Sequence, residues 1–340
     1  MTIMANIIFS ESSGVADSLY GKIQTPMKVM IENYAEQFEA DDIVKQVFAM
    51  ENSRHFAETY SSMTSMDDWE PVGENGTHPT NGFEEGYKKV IQNETWKSNF
   101  SVSREMIDDQ NMIELKNKPK AFVSSYYRTR QRFGAQLYGG AIKGNKTVTI
   151  GNKVFDISTA DGEALFSTTH KNKVKGGTQS NKFSDSLSND AIMYMESKMQ
   201  NFKDDNGNLL DVRPDTIIIP NDPAMKKTLF AALGADKDPS TANNGFNFTF
   251  GRFNIIIWGY LGDYITSSTS PWMMMDSNFL RDYDAAVFQD RVGLEITSKI
   301  DDNDANRWNG YSRFTAGFVN FRYIAVGGIT GGTQMIPSGS

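Results

Sequence analysis

The chain has 340 residues, 39% of them hydrophobic and 22% charged, which is a globular composition with room for two domains. A formal net charge of −8 argues against a general nucleic-acid binder, which is normally basic. The absence of cysteine excludes disulfides, thiolate metal sites and cysteine nucleophiles together.

Residues 1–24 show little periodicity and several Ser and Gly, which predicts an extended arm. Thr25-Pro26 then opens a helix with the stripe Met27, Met30, Ile31, Tyr34 and Phe38. A second helix starts at Asp41, with Ile43, Val44, Val47 and Phe48. From Tyr60 to Val102 the chain is poor in aliphatic residues and rich in turn formers, with Asn75-Gly76, Pro79 and Asn81-Gly82 at the tip. This predicts a long two-stranded excursion without a core of its own. An isolated hairpin is marginal in water, so this one is expected to rest on a neighbouring subunit. Trp69, Phe83, Tyr87 and Trp96 are its large apolar groups, of the kind that anchor interfaces.

The longest helical stretch follows. Phe122, Tyr126, Phe133 and Leu137 fall on one face of a helix predicted over Lys118–Tyr138. Asn117 serves as its N-cap, Pro119 lies in the first turn, and Gly139-Gly140 is the stop. Its opposite face carries Lys120, Arg128 and Arg132. Beyond it, KTVTIGNKVFDI predicts a hairpin around Gly151-Asn152, and residues 171–187 a polar loop. Ser188 caps a helix with Ile192, Met195, Met199 and Phe202 on one side. Thr216–Ile219 is a short apolar strand, and Asp222-Pro223 starts a helix that stops at Gly234. Phe253–Trp258 and residues 272–300 supply more strands. Phe314–Val326 reads as one closing strand, and GGITGGTQMIPSGS as a flexible tail. Strands and helices mix without a βαβ rhythm, which predicts the α+β class.

No segment carries credible active-site chemistry. GGAIKGNKT (Gly139–Thr147) approaches a phosphate-binding loop, but a helix precedes it and a strand follows, and Asn145 separates Gly144 from Lys146. The acidic runs Asp204-Asp205-Asn206 and Asp301-Asp302-Asn303-Asp304 lack the glycine and terminal Glu of calcium loops and read as solvated turns. His55, His78 and His170 have no metal-ligand spacing, and His170 reads as a hydrogen-bonded structural residue. There is no run of ~18 apolar residues to span a membrane. The N-terminus MTIMANIIFSESS lacks the charged start and apolar core of a signal peptide, so synthesis in the cytoplasm is expected. No catalytic, cofactor-binding or metal-binding residue is predicted.

An ordered series of motifs remains. It runs Leu165-Phe166-Ser167, His170, Gly176-Gly177, Asn181, Leu187-Ser188, Asp204 to Leu209 and Pro214 to Pro220. Upstream stand Glu58-Thr59-Tyr60, Trp69-Glu70 and Ser103-Arg104-Glu105 with Asp108-Asp109, and downstream Trp308 to Val326. Over residues 45–326 this series resembles the major head subunits of tailed bacteriophages, in particular the Mu-like branch. The resemblance implies the Hong Kong 97-type capsid fold: an N-terminal arm with helices over 1–59, an E-loop over 60–102, a P-domain over 103–152 and 290–330, an A-domain over 153–289 and a flexible tail over 331–340. The long helix becomes the P-domain spine, packed through Phe122, Tyr126, Phe133 and Leu137. Trp69, Phe83, Tyr87 and Trp96 become E-loop contacts to a neighbour. It further implies a non-enzymatic subunit that assembles with itself into pentamers and hexamers of an icosahedral virion shell, formed in the host bacterial cytoplasm. Its partners would be a portal protein, a separate scaffolding protein, a decoration protein and weakly held double-stranded DNA. The type member cross-links a lysine to an asparagine of another subunit; Lys88, Lys89 and Lys97, with Asn303, Asn306 and Asn309, match no such pair by motif. A cellular nanocompartment shell of the same fold, encapsulin-like and housing a cargo enzyme, is the alternative the resemblance leaves open.

Overall fold

The computed structural model describes residues 8–9, 19–62, 64–66, 68–80, 84–108, 112–234, 249–264, 270–302 and 305–337. Its longest element is the helix Met112–Ile142, which extends past both predicted ends. Pro119 lies inside it, so Asn117 is not its cap. Gly139-Gly140 does not stop it either, because Gly140 is there for close packing. A Cβ on Gly140 would stand 2.2 Å from Val148 Cγ2, on the hairpin Thr147–Ile150/Lys153–Asp156 that crosses the helix. The stop comes at Gly144, with φ +78. There the Asn145 amide donates to Gly140 O at 3.1 Å and the Gly144 amide to Ala141 O at 2.9 Å, the paired bonds of a Schellman cap. Gly140→Ala is therefore expected to lower stability by about 1–3 kcal/mol through overpacking against Val148. Chemical denaturation of the variant measures this.

A second helix, Leu19–Ala40, runs parallel to the first. Phe38 meets Tyr127 at 6.4 Å between ring centroids, Lys120 lies over Tyr34, and Gln131 Nε2 donates to Asp41 O. It starts before Thr25-Pro26, so this dipeptide lies within the helix rather than opening it. Of the predicted arm, Ile8–Phe9 pairs in parallel with Glu295–Ile296 at a sheet edge; most of the remainder lies outside the described residues.

The larger sheet has the order Ile8–Phe9, Ala286–Ile300, Asn306–Phe318, Glu94–Val102, and Ala49–Asn52 also pairs with Ala286–Ile300. One sheet face packs on the long helix through Val102, Phe122, Val123, Tyr127, Leu294, Ile296 and Trp308. The smaller sheet has the order Asn254–Trp258, Thr216–Pro220, Trp272–Met275, Ile324–Gly327. Helices Asn189–Gln200 and Pro223–Leu233 join its core, capped by Ser188 and Asp222 as the sequence predicts. One hydrophobic cluster runs unbroken from Phe133, Leu137 and Tyr138 on the long helix to Ile217, Met274 and Ala325 in this sheet.

Two boundaries differ from the sequence reading for one reason: the chain changes sheets. The predicted strand Phe314–Val326 is two strands, ending at Phe318 in the larger sheet and resuming at Ile324 in the smaller. The link between them carries the buried polar residues Asn320 and Arg322. Ile324–Gly327 thus belongs with the smaller sheet, and the expected boundary at 289/290 falls inside the strand Ala286–Ile300. The tail is anchored through Pro337: the Met335 and Ile336 amides donate to the Asp185 carboxylate at 2.7 and 3.2 Å.

Candidate assembly surfaces

The excursion after Tyr60 is narrower than its composition implies. Ala57–Ser61 pairs antiparallel with Lys88–Gln92, and Thr64–Ser65 with Glu84–Glu85. The expected return limb beyond Gln92 is an edge strand of the subunit's own larger sheet, since Glu94–Val102 pairs along Asn306–Phe314. Trp96 goes with it. Its ring stacks on Phe314 at 4.8 Å and meets Phe133 edge-on at 5.4 Å, and its Nε1 donates to Phe314 O at 3.0 Å. Trp96 is therefore occupied within its own subunit rather than offered to a neighbour.

The true loop is the stretch beyond the inner pair, between Ser65 and Glu84. Residues 68–80 contain no strand and are all exposed, and Trp69 is 91% exposed. They include Asp68, Glu70 and Glu74 and no lysine or arginine. An indole in water forgoes the apolar burial worth about 25 cal/mol per Å², so Trp69 is poised for an external contact. Phe83 lies outside the described residues. Tyr87, half-buried, sits at the base beneath Lys173, whose Nζ lies 5.7 Å from the ring centroid and donates to Glu85 O and Gly86 O at 2.7 and 3.0 Å.

Buried polar groups hold that base. Asn320 Nδ2 donates to Ser62 O at 2.9 Å, and Gln289 Nε2 to the Tyr60 hydroxyl at 2.8 Å. Burial pushes the Tyr60 hydroxyl up to about 12. Lys89 is buried, and its Nζ donates to the carbonyls of Asp156 and Ser158 beside the Asp156 carboxylate. Burial pulls its pKa below the ordinary lysine value. Arg322 Nη2 donates to Asp205 Oδ1 at 2.8 Å and its Nε to Lys203 O at 2.7 Å, with both side chains 3% exposed. Asp204-Asp205-Asn206 is accordingly a buried turn and not a solvated one, because it receives Arg322.

The long helix contributes Phe122 to the sheet-facing cluster, with Phe100 at 5.1 Å, and Phe133 and Leu137 to the main core. Tyr126 is half-buried between the two, its hydroxyl 3.3 Å from Ser312 Oγ. One turn on, Arg130 lies inside the subunit. It grips Asp290 with both terminal nitrogens at 2.6 and 2.9 Å, has Asp42 at 3.6 Å from Nε, and stacks over Phe288 at 4.5 Å. Burial works against its charge, but the Asp290 carboxylate outweighs this and holds the guanidinium well above its usual pKa. Burial raises the Asp42 carboxyl despite Arg130 beside it. Neither ion pair is legible from spacing, since the partners lie far apart in sequence. The available signal is an arginine inside an apolar run, as in FVNFRYIAV.

The decoys resolve into structure. GGAIKGNKT is a helix end followed by a strand. His170 is fully buried, with Nδ1 2.7 Å from Asp161, Nε2 3.2 Å from Leu165 O and its ring stacked on Phe321. Burial would raise the Asp161 carboxyl; the His170 hydrogen bond outweighs it and holds Asp161 below the usual range. Among the described residues no acidic or histidine cluster could hold a metal, and no helix is long and apolar enough to cross a membrane.

Comparison with known proteins adds one assignment. A family model described as phage capsid protein matches residues 86–327, well over half of the chain. Comparison with curated protein sequences gave no match. Among solved structures, the chain is similar to one from the capsid of the cyanophage P-SCSP1u, at 8% identity and TM-score 0.49 over 84% of this chain and 87% of that one. It is similar to one from the procapsid of bacteriophage JBD30, at 14% identity and TM-score 0.48 over 95% and 78%. A chain from Mycobacterium phage Patience gives 12% identity and TM-score 0.47 over 98% and 95%.

Proposed function

From the premise that the chain belongs to the phage capsid protein family, we propose that it is the major subunit of a tailed-phage head with the Hong Kong 97-type fold. Copies of it form the pentamers and hexamers of an icosahedral shell around double-stranded DNA. In this reading the larger sheet and the long helix are the P-domain and its spine, the smaller sheet is the A-domain, and residues 62–86 are the E-loop. The observation that carries it is the loop itself: residues 68–80 are exposed throughout and bear a 91% exposed Trp69, while the loop base is clamped by Lys173 and Asn320. A rigidly mounted loop without apolar cover is built to complete its burial on another copy. Assembly with portal, scaffolding and decoration proteins in the bacterial cytoplasm belongs to the same proposal. The net charge of −8 suits a shell that must not grip its DNA, since each phosphate contact adds salt-dependent affinity.

The contents of purified particles test this reading. Phage DNA supports it; a cargo enzyme on the inner wall and no genome would point to a nanocompartment shell instead. The particles are also expected to lack covalent cross-links. Lys89 is sealed inside its own subunit, Lys88 pairs with Glu85, and Asn306 is 2% exposed. Boiled particles should run on a denaturing gel as one band near 38.0 kDa. A ladder of multimers would contradict this.

A further inference from the structure

We propose that the two parallel helices carry a charge-coded contact between neighbouring copies of this chain, with Glu32 and Glu36 of one copy against Arg128 and Arg132 of the next. The charges over residues 29–40 of the one helix and 116–142 of the other are sorted by sign, with Lys22, Lys28 and Glu114 lying outside those stretches. Residues 29–40 contain Glu32, Glu36 and Glu39 and no base, whereas residues 116–142 contain six bases and no acid. Several of these charges are satisfied at home. Glu39 pairs with Lys45, Arg130 with Asp290, Lys118 Nζ donates to Ser101 O at 2.9 Å, and Lys120 lies over the Tyr34 ring. Glu32, Glu36, Lys116, Arg128 and Arg132 remain, all exposed and without an ion-pair partner among the described residues, and the two glutamates and two arginines fall in matching pairs.

Their placement is regular. Glu32/Glu36 and Arg128/Arg132 are each spaced i, i+4, which puts like charges about 5–6 Å apart on one helix ridge. Both ridges point away from the core, because Ile31 and Ala35 on one helix, and Phe122, Val123 and Tyr127 on the other, occupy the buried faces. A polyanion reaching the arginines would meet glutamates on the neighbouring helix, and a cationic partner the reverse. A second copy of the same helix pair offers both signs at matching spacing. Because the two ridges differ, the contact is heterologous and repeats head to tail, which closes into a ring when the rotation permits. The inference rests on self-assembly but not on the loop contact proposed above.

Sedimentation velocity across a concentration series, with wild-type assembly as reference and thermal melts as a folding control, tests it. Arg128→Glu/Arg132→Glu and Glu32→Arg/Glu36→Arg each set like charges against like. Each is expected to raise the concentration needed for ring or shell formation at least about 100-fold while melting cooperatively. The fourfold swap restores opposite signs and should return assembly to near the wild-type concentration. Neutral Arg128→Gln/Arg132→Gln, with a shift of about tenfold, covers the case in which reversal impairs folding. Assembly of either reversal at the wild-type concentration overturns the proposal, as does a fourfold swap no better than either reversal. So does an arginine reversal that assembles normally but packages less DNA, which would make the basic ridge a nucleic-acid contact.

Discussion

Replacing Arg130 with methionine is expected to cost the subunit about 3–5 kcal/mol, because it strips the cation from the fully buried Asp42 carboxylate and from Asp290, which is three-quarters buried. Asp290 loses both charge-assisted bonds, at 2.6 and 2.9 Å, and Asp42, with a fully buried side chain, loses the stronger of the two cations, Arg130 and Lys45, that oppose its desolvation. The three residues also tie the turn after Leu19–Ala40, the long helix and the strand Ala286–Ile300 into one unit. The pH dependence has a definite sign. Burial already holds the Asp42 carboxyl above its ordinary pKa, so the folded state binds a proton more readily than the unfolded one. Acidification through that raised pKa therefore stabilises the fold with respect to this group, and more so once Arg130 is gone. Urea denaturation at neutral and mildly acidic pH reads both effects. The triple change Arg130→Met, Asp42→Asn, Asp290→Asn should recover most of the loss, since a buried ion cluster replaced as a set is often neutral. A single Arg130→Met variant as stable as wild type would show that the cluster does not organise the core.

Excising residues 66–83 and joining Ser65 to Glu84 through a short Gly-Ser link is expected to leave a cooperatively folding subunit that no longer assembles. The removed stretch buries little against its own subunit, as the exposure of residues 68–80 shows, so little is lost at about 25 cal/mol per Å². The clamps at the base, Lys173 to Glu85 O and Asn320 to Ser62 O, stay in place. A longer cut running through Lys97 should behave differently. It removes buried Lys89, the Trp96–Phe314 stack and part of the edge strand of the larger sheet, and the subunit should unfold. Thermal melts beside analytical ultracentrifugation separate the two. Normal assembly of the shorter deletion would refute an intersubunit role for Trp69 and its neighbours.

The contrast between those deletions marks how far the residues alone could be read. Local signals carried well where the physics is local: the caps at Ser188 and Asp222, the hairpin at Gly151-Asn152, and the apolar strand at Thr216. The place of Trp96 is not legible locally, because pairing with Asn306–Phe314 is a contact more than 200 residues distant, and alternation along Glu94–Val102 does not say which strand lies beside it. Gly139-Gly140 has the composition of a helix stop, and only the crossing hairpin shows that Gly140 instead makes room for Val148. The buried charges were the least legible. Asp204-Asp205-Asn206 looks like any solvated turn until Arg322 is brought onto it by the switch between sheets. The exposure of Trp69, likewise, required the fold.

Electron microscopy of the purified 340-residue chain tests the central claim most directly. Rings and closed icosahedral shells are predicted, with density from residues 68–80 of each subunit lying on its neighbour. Uniform monomers at micromolar concentration, in buffers that keep the chain folded and with its scaffolding partner supplied, would contradict the account.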